Sequence, residues 1–221
     1  MSELARVVAF IDGFNMYHSI DGKYNHLKWL NYNALANAFI ARSRERLAKV
    51  LYFSAYSRWN EDKKNRHMEY VRALEFTGVE VVLGKFKRVS KKCRAVCKKT
   101  YTTFEEKETD VNIAIYLLKL AFQDRYDKAL IFSGDSDLIP AVKAVREIAP
   151  HKHIQVVIPV ERPAEDLKKC CDSSAQVKVK HLATCQFPDP LVVDAARGIV
   201  IARPASWVQS AAHQADPTLS S

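Results

Sequence analysis

"FIDGFNMYHS", residues 10–19, is the stretch on which the reading of this chain turns. An apolar run from Val7 to Ile11 ends in Asp12, Gly13 and then Asn15. A short apolar run bounded by turn residues reads as a strand covered on both faces. Asp, Gly and Asn are turn formers, and a tight turn would account for them. A carboxylate at this point has a second meaning. Open α/β sheets hold their ligands beyond the carboxyl ends of central parallel strands.

A second stretch repeats the pattern. "IFSGDSDLIP", residues 131–140, is an apolar strand that runs into Ser133, Gly134, Asp135, Ser136 and Asp137, with a helix following. Taken singly, Asp135 or Ser136 reads as an N-cap, and an acid in a first turn complements the helix dipole. Taken with Asp12, the pair suggests one shared site. Two neighbouring central strands whose crossovers run to opposite faces leave a cleft at their carboxyl ends.

Around these stretches the chain alternates strand and helix. Strands are expected at 6–11, 47–57, 79–86, 128–133 and 153–160, and helices at 32–42, 61–76, 105–124, 136–149 and 163–171. That alternation predicts an α/β fold with a parallel five-stranded sheet covered by helices on both faces. From about Val177 the pattern loosens into a proline-bearing stretch, expected to pack on the domain as an extended arm. The division expected is a domain over 1–175, an extension over 176–208 and a disordered tail over 209–221.

A fourth carboxylate comes from "EEKETDVNIAIYLLKLAFQ". Asn112, Tyr116, Lys119 and Gln123 mark a polar helix face. Asp110 lies about 200° away from Asn112 at 3.6 residues per turn. It falls in line with Ile113, Ala114, Leu117 and Ala121, where a charge requires compensation. Glu106 shares that face and is the reserve candidate, whereas Glu105 and Glu108 read as surface residues. Clustered carboxylates raise one another's pKa, and a divalent cation removes the conflict. Oxygen ligands without His or Cys suit Mg²⁺ or Mn²⁺. Such a metal polarises a phosphodiester and stabilises its leaving oxygen. Asn15, in the same mouth, is placed to orient water or phosphate.

Charge points to a polyanion. The chain has 34 Lys+Arg against 25 Asp+Glu, a net charge of +9. Residues 81–104 hold Lys85, Lys87, Arg88, Lys91, Lys92, Arg94, Lys98 and Lys99 and no acid, which is eight of those nine charges. A basic block of this kind is an electrostatic footprint for phosphates. The bland alternative is a solvated loop, in which case Arg42, Arg44 and Arg46 offer another RNA path. The five cysteines are an odd number. No charged region followed by a long apolar core opens the chain, so no secretory leader, no membrane span and a cytoplasmic setting with reduced thiols are expected. Cys93 and Cys97 are spaced C-x3-C, and Cys170, Cys171 and Cys185 give no second pair of the spacing zinc prefers, so ordinary thiols are expected. Six glycines with no G-x-G-x-x-G array and no P-loop argue against a dinucleotide or nucleotide-triphosphate enzyme. An aspartyl phosphatase would want an acid at position 14, where Phe14 stands.

FIDGFNMYHS, EKETDVNIAIYLL and IFSGDSDLIPAVKAV together resemble the NYN-domain family, in the LabA-like branch of the PIN-like nuclease superfamily. The resemblance covers about residues 5 to 172. It implies a three-layer α/β/α fold with strand order 3-2-1-4-5 and a metal-dependent ribonuclease site. By matching motif, Asp12, Asp110, Asp135 and Asp137 are the implied metal ligands, with Asn15 beside them. Ser133 matches the family's small hydroxyl residue and is grouped with the RNA contacts. In that strand order Arg58, Trp59, Lys85 and Lys87 border the acidic mouth. With Arg88, Lys91, Lys92, Lys98 and Lys99 they form the expected nucleic-acid surface. Trp59, Tyr101 or Phe104 would stack a base. For Trp59 the alternative is a packing anchor for the helix that follows. The function expected is hydrolysis of single-stranded RNA with Mg²⁺ or Mn²⁺, with DNA left open. The rival is a non-catalytic module of the same fold that binds RNA or protein.

Overall fold

The computed structural model describes residues 3–93 and 99–208. Arg94, Cys97 and Lys98, with the tail expected over 209–221, lie outside the described residues. The first strand, β1 (Ala5–Asp12), is followed by α1 (Gly13–Ile20) and α2 (Tyr32–Asn37), then β2 (Glu45–Ser54), α3 (Glu61–Phe76) and β3 (Glu80–Leu83). The basic segment forms β4 (Lys85–Lys92) and β5 (Thr100–Lys107). The second half holds α4 (Thr109–Phe122), β6 (Lys128–Phe132), α5 (Ile139–Ile148), β7 (His153–Ile158), α6 (Glu165–Cys170) and β8 (Ser173–Gln176). Beyond it lie α7 (Val179–Thr184), β9 (Leu191–Asp194) and β10 (Ile199–Ile201).

The central sheet has six strands in the order β3-β2-β1-β6-β7-β8, and every pairing in it is parallel. This keeps the expected arrangement of the first five strands and adds an edge strand, β8. Its sequence, SSAQ, has too little apolar content to announce itself. β1 shows why both faces are covered. Val7, Ala9 and Ile11 point into one apolar cluster, Val8 and Phe10 into the other, as the two-residue period of a strand requires. Helices α1 to α3 fill the first side with Met16, Leu35 and Leu74. Helices α4 to α6 fill the second with Ile113, Val142 and Leu167. The crossovers therefore change face between β1 and β6, which opens a cleft at the carboxyl ends of those two strands.

Two local readings change. Residues 85–92 and 100–107 are not a loop followed by a helix start but two paired antiparallel strands, termed the hairpin, with Lys85 opposite Lys107 and Lys92 opposite Thr100. The long helix accordingly starts at Thr109 rather than 105. The hairpin bends back tightly at Gly84, where a Cβ would come within 2.7 Å of the Lys107 carbonyl oxygen.

Residues after Val177 are integral to the first core. The Trp29 indole N–H donates to the Pro188 carbonyl at 3.0 Å. Phe187 packs on Trp29 with ring centroids 5.4 Å apart, and Trp207 packs on Tyr70 at 5.5 Å. Leu182, Leu191 and Ile201 join the same cluster. No helix among the described residues is long and apolar enough to cross a membrane.

Candidate active site

Asp12 is the last residue of β1 and is only 3% exposed. Its Oδ1 accepts the backbone N–H of Asn15 at 2.9 Å, so it caps α1. Its Oδ2 accepts the Ser133 hydroxyl at 2.7 Å. The turn reading holds, since the carboxylate closes the entry to α1. Capping fixes the carboxylate, and each oxygen keeps a further lone pair for a ligand. Gly13 allows this tight entry, since a Cβ there would meet the Phe53 carbonyl oxygen at 2.6 Å and the Tyr52 ring at 2.7 Å.

The end of β6 is fastened to the same point. The Gly134 N–H donates to Asn15 Oδ1 at 3.1 Å, and the Asp135 N–H donates to Ser133 Oγ at 3.1 Å. Asp135 Oδ1 in turn accepts the Asp137 N–H at 3.0 Å, and its Oδ2 accepts no hydrogen bond among the described residues. Asp110 enters from the first turn of α4. Its carboxylate accepts no hydrogen bond among the described residues.

Asp12, Asn15, Asp110 and Asp135 line one cavity of about 230 Å³, together with Phe14, His18, Glu106, Thr109 and Arg162. The electrostatics follow from that grouping. Burial, reinforced by Asp135 and Glu106, pushes the Asp12 carboxyl up to about 6. Burial, reinforced by Asp12, Asp135, Glu106 and Asp137, pushes Asp110 up to about 7. Arg162 is exposed and makes no ion pair among the described residues. The site is therefore short of positive charge, and perturbed carboxylates in a cleft mark a functional centre.

The expected residues are not all placed alike. Asp137 is exposed at the rim, outside the cavity lining, and reaches Asp110 only through space. Glu106, the reserve candidate, is inside. It stands on β5, and its Oε1 accepts the Thr109 N–H at 3.0 Å and the Thr109 hydroxyl. Ser133 is fully buried and has no surface for RNA; its hydroxyl holds Asp12 instead. Arg162 stands in a stretch without a motif and carries no sequence signal, and His18, although inside FIDGFNMYHS, is one residue of an amphipathic helix with nothing to set it apart. Among the described residues no three His, Cys, Asp or Glu side chains form a compact metal cage, Cys93 included.

The basic segment is divided by its strand geometry. Arg88 and Lys92 share one face with Phe86, Phe104 and Glu106, while Lys85, Lys87 and Lys91 stand on the other. Lys85 pairs with Glu108, and Lys91 with Glu105 at 2.6 Å. The acids just beyond residue 104 thus offset part of the charge block. Lys87, Arg88, Lys92 and Lys99 are exposed and make no ion pair among the described residues, and the same holds for Arg58. Trp59 stacks on Phe104 at 4.0 Å and meets Phe86 edge-on at 4.7 Å, while Phe86 meets Phe14 at 5.4 Å. This cluster docks the hairpin beside the cavity. Trp59 is 45% exposed, so it anchors without being buried. Tyr101 is exposed further out on β5.

The fold has a counterpart among solved structures. A protein of unknown function from Vibrio parahaemolyticus RIMD 2210633 matches with a TM-score of 0.53 at 16% identity, over 80% of this chain and 97% of that one. At that identity the likeness is one of fold. No curated protein matches the chain. The model of the NYN domain matches residues 6–177, which span β1 to β8 and every carboxylate of the cavity. The chain belongs to the NYN domain family, part of the PIN-like nuclease superfamily.

Proposed function

We propose that the chain is a ribonuclease of the LabA-like branch that hydrolyses RNA phosphodiester bonds with Mg²⁺ or Mn²⁺. The observation that carries this is the convergence of Asp12, Asp110 and Asp135 from β1, α4 and β6 on one cavity, with two of them pushed up toward neutrality. Such a donor set is oxygen-only. Its open arrangement fits Mg²⁺, which keeps several waters and takes one or two carboxylates plus substrate phosphate oxygens. Asp12, Asp110 and Asp135 would hold the ion, one or two of them directly and the rest through its waters, with Glu106 and Asp137 near enough to assist in the same way. The ion would supply Lewis acidity toward the phosphodiester.

The protein's own groups do the rest. Ser133 and the Asn15 N–H fix Asp12, and the Asn15 amide ties the two strand ends together. Arg162 is placed to meet a phosphate on one side of the cavity, and Arg88 and Lys92 extend that positive surface along the hairpin. The test is cleavage of end-labelled RNA by pure protein with Mn²⁺, Mg²⁺ or EDTA, beside Asp12→Asn. Cleavage that survives EDTA or Asp12→Asn would overturn the reading. A metal-independent affinity for RNA without cleavage would favour the non-catalytic module.

A further inference from the structure

Beside the acidic cavity lies a larger one of about 470 Å³. Phe14, His18 and Glu106 line both, so the two share a wall. The larger cavity is walled by aromatic rings, among them Phe14, Tyr17, Tyr52, Trp59, Phe86 and Phe104. Its size is that of a small-ligand site, and its composition is the usual one, apolar walls with a few polar groups.

Two of those polar groups are not spent on the fold. Ser57 Oγ is buried and has no hydrogen-bond partner among the described residues. Arg66, half-buried at the edge, makes neither a hydrogen bond nor an ion pair among the described residues. A buried polar group is normally satisfied, so Ser57 points to something that enters the cavity, and Arg66 leaves a cation at its edge unpaired among the described residues. His67 lies deeper, with Nε2 at 3.4 Å from the Ser54 hydroxyl and 3.5 Å from the Tyr52 hydroxyl. Burial lowers its pKa to about 4, so at neutral pH the ring offers one donor and one acceptor. Lys63 and Arg66 make the rim cationic.

A flat ring that stacks on aromatics, carries hydrogen-bonding edges and is joined to an anion fits each of these features. We propose that this cavity receives an unstacked nucleobase of the RNA, from the nucleotide next to the bond held at Asp12, Asp110 and Asp135. The inference rests on the ribonuclease reading and names its substrate class. A base that enters must leave any duplex, so the substrate is single-stranded or bulged RNA. Stacking on the aromatic walls supplies the affinity, while Ser57, His67 and the Tyr52 hydroxyl read the base's edge, so that one base of a given RNA is preferred and the register is set. Arg66 and Lys63 take the flanking phosphate.

The test uses the full chain in EDTA and a ten-nucleotide unstructured RNA in which one nucleotide at a time is made abasic. One position is expected at which removal of the base weakens binding about tenfold, the scale of a lost base–aromatic stack. With Mn²⁺ added, the cleaved bond should flank that position. Ser57→Phe, which fills the cavity, and Arg66→Gln should each bring intact RNA down to the abasic affinity, with melting temperature as the check on folding. Affinity that ignores base removal at every position overturns the proposal and leaves the cavity to a peptide side chain or a small molecule. A folded Ser57→Phe protein with undiminished base dependence overturns it too. The two readings separate cleanly. Cleavage without base dependence removes the pocket alone, and base dependence without cleavage removes the nuclease alone.

Discussion

The two ends of the same parallel sheet treat their acids in opposite ways. At the amino end, Asp127 accepts from the Arg6 backbone N–H at 2.7 Å and from the Arg6 guanidinium at 2.7 and 3.0 Å. Asp124 takes Arg6 at 3.0 Å and also pairs with Lys152, and Glu45 pairs with Lys128 at 3.1 Å. Hydrogen bonds from Arg6 hold Asp127 down at about 2, and those from Lys152 and Arg6 hold Asp124 below the usual carboxylate range. At the carboxyl end, Asp12 and Asp110 have no cationic partner among the described residues, and burial raises both. One end spends its acids on cohesion. The other keeps them uncompensated, at a cost in stability that protonation relieves at low pH and that a bound cation would relieve at neutral pH.

The largest expected effect comes from emptying the uncompensated end. Asp12→Asn with Asp135→Asn should bring cleavage down to the level seen in EDTA. It should also abolish the rise in melting temperature expected from Mn²⁺ binding only to the folded state. Calorimetric scans with and without metal check this, and a persistent shift would place the metal elsewhere.

Next is the compensated end. Arg6→Ala removes the charged hydrogen bonds to Asp127 and Asp124 and is expected to cost about 2 kcal/mol in urea denaturation. Cleavage at a permissive temperature should be unchanged. Because Asp127 is held low, its contribution is present above pH 4 and is lost as the pH falls toward 2. A wild-type urea midpoint would show that these pairs are screened by solvent and add nothing to the fold.

Asp110→Asn should act in the opposite direction on stability. The folded carboxyl binds its proton more tightly than the unfolded one, so the metal-free fold loses stability as pH rises from about 4 to about 7. Removing the charge should stabilise the metal-free protein by about 1 kcal/mol at pH 8, after allowance for the half-exposed site, and by nothing at pH 4. Cleavage should be lost in the same variant. Glu106→Gln is the matched comparison, and loss of cleavage there alone would move the ligand to β5.

The smallest effect is expected on the hairpin. Replacing Lys87, Arg88 and Lys92 by Ala should flatten the salt dependence of RNA binding by roughly 0.7 in slope for each phosphate left unneutralised. Lys85→Ala, whose partner is Glu108, should change the slope least. Equal slopes in both variants would show the charge block to be solvated rather than in contact with RNA.

The sequence announces strands where apolar runs end in acids, which is why β1, β6 and their mouths are legible in it. The phase of the 109–122 helix is legible for the same reason, since Ile113, Leu117 and Ala121 fix its buried side and bring Asp110 inward. The hairpin is hidden by its charge. In KFKRVSKK only Phe86 and Val89 are apolar and they do not alternate, so the strand period fails. A helix start at 105 turns Glu106 into a first-turn acid, whereas it lies on β5 opposite Phe86. The same misplaced start makes Glu108 and Glu105, the partners of Lys85 and Lys91, look like plain surface residues. α1 escapes notice because Asp12 and Gly13 look like a turn, which they are, and the turn is its cap.

The packing of Trp29 against Pro188, Phe187 and Trp207 bears on how portable this domain is. Residues 6–177 carry the whole family signature, yet a transplant limited to them would strip the acceptor from a fully buried indole N–H. It would also bare Tyr70, whose ring Trp207 covers and whose hydroxyl donates to the Leu30 carbonyl at 2.7 Å. Fusions and domain swaps should therefore be cut after Trp207. Substitutions in this strap should travel through Tyr70 and Tyr52, whose rings lie 6.2 Å apart, to the side of β2 that faces the aromatic cavity.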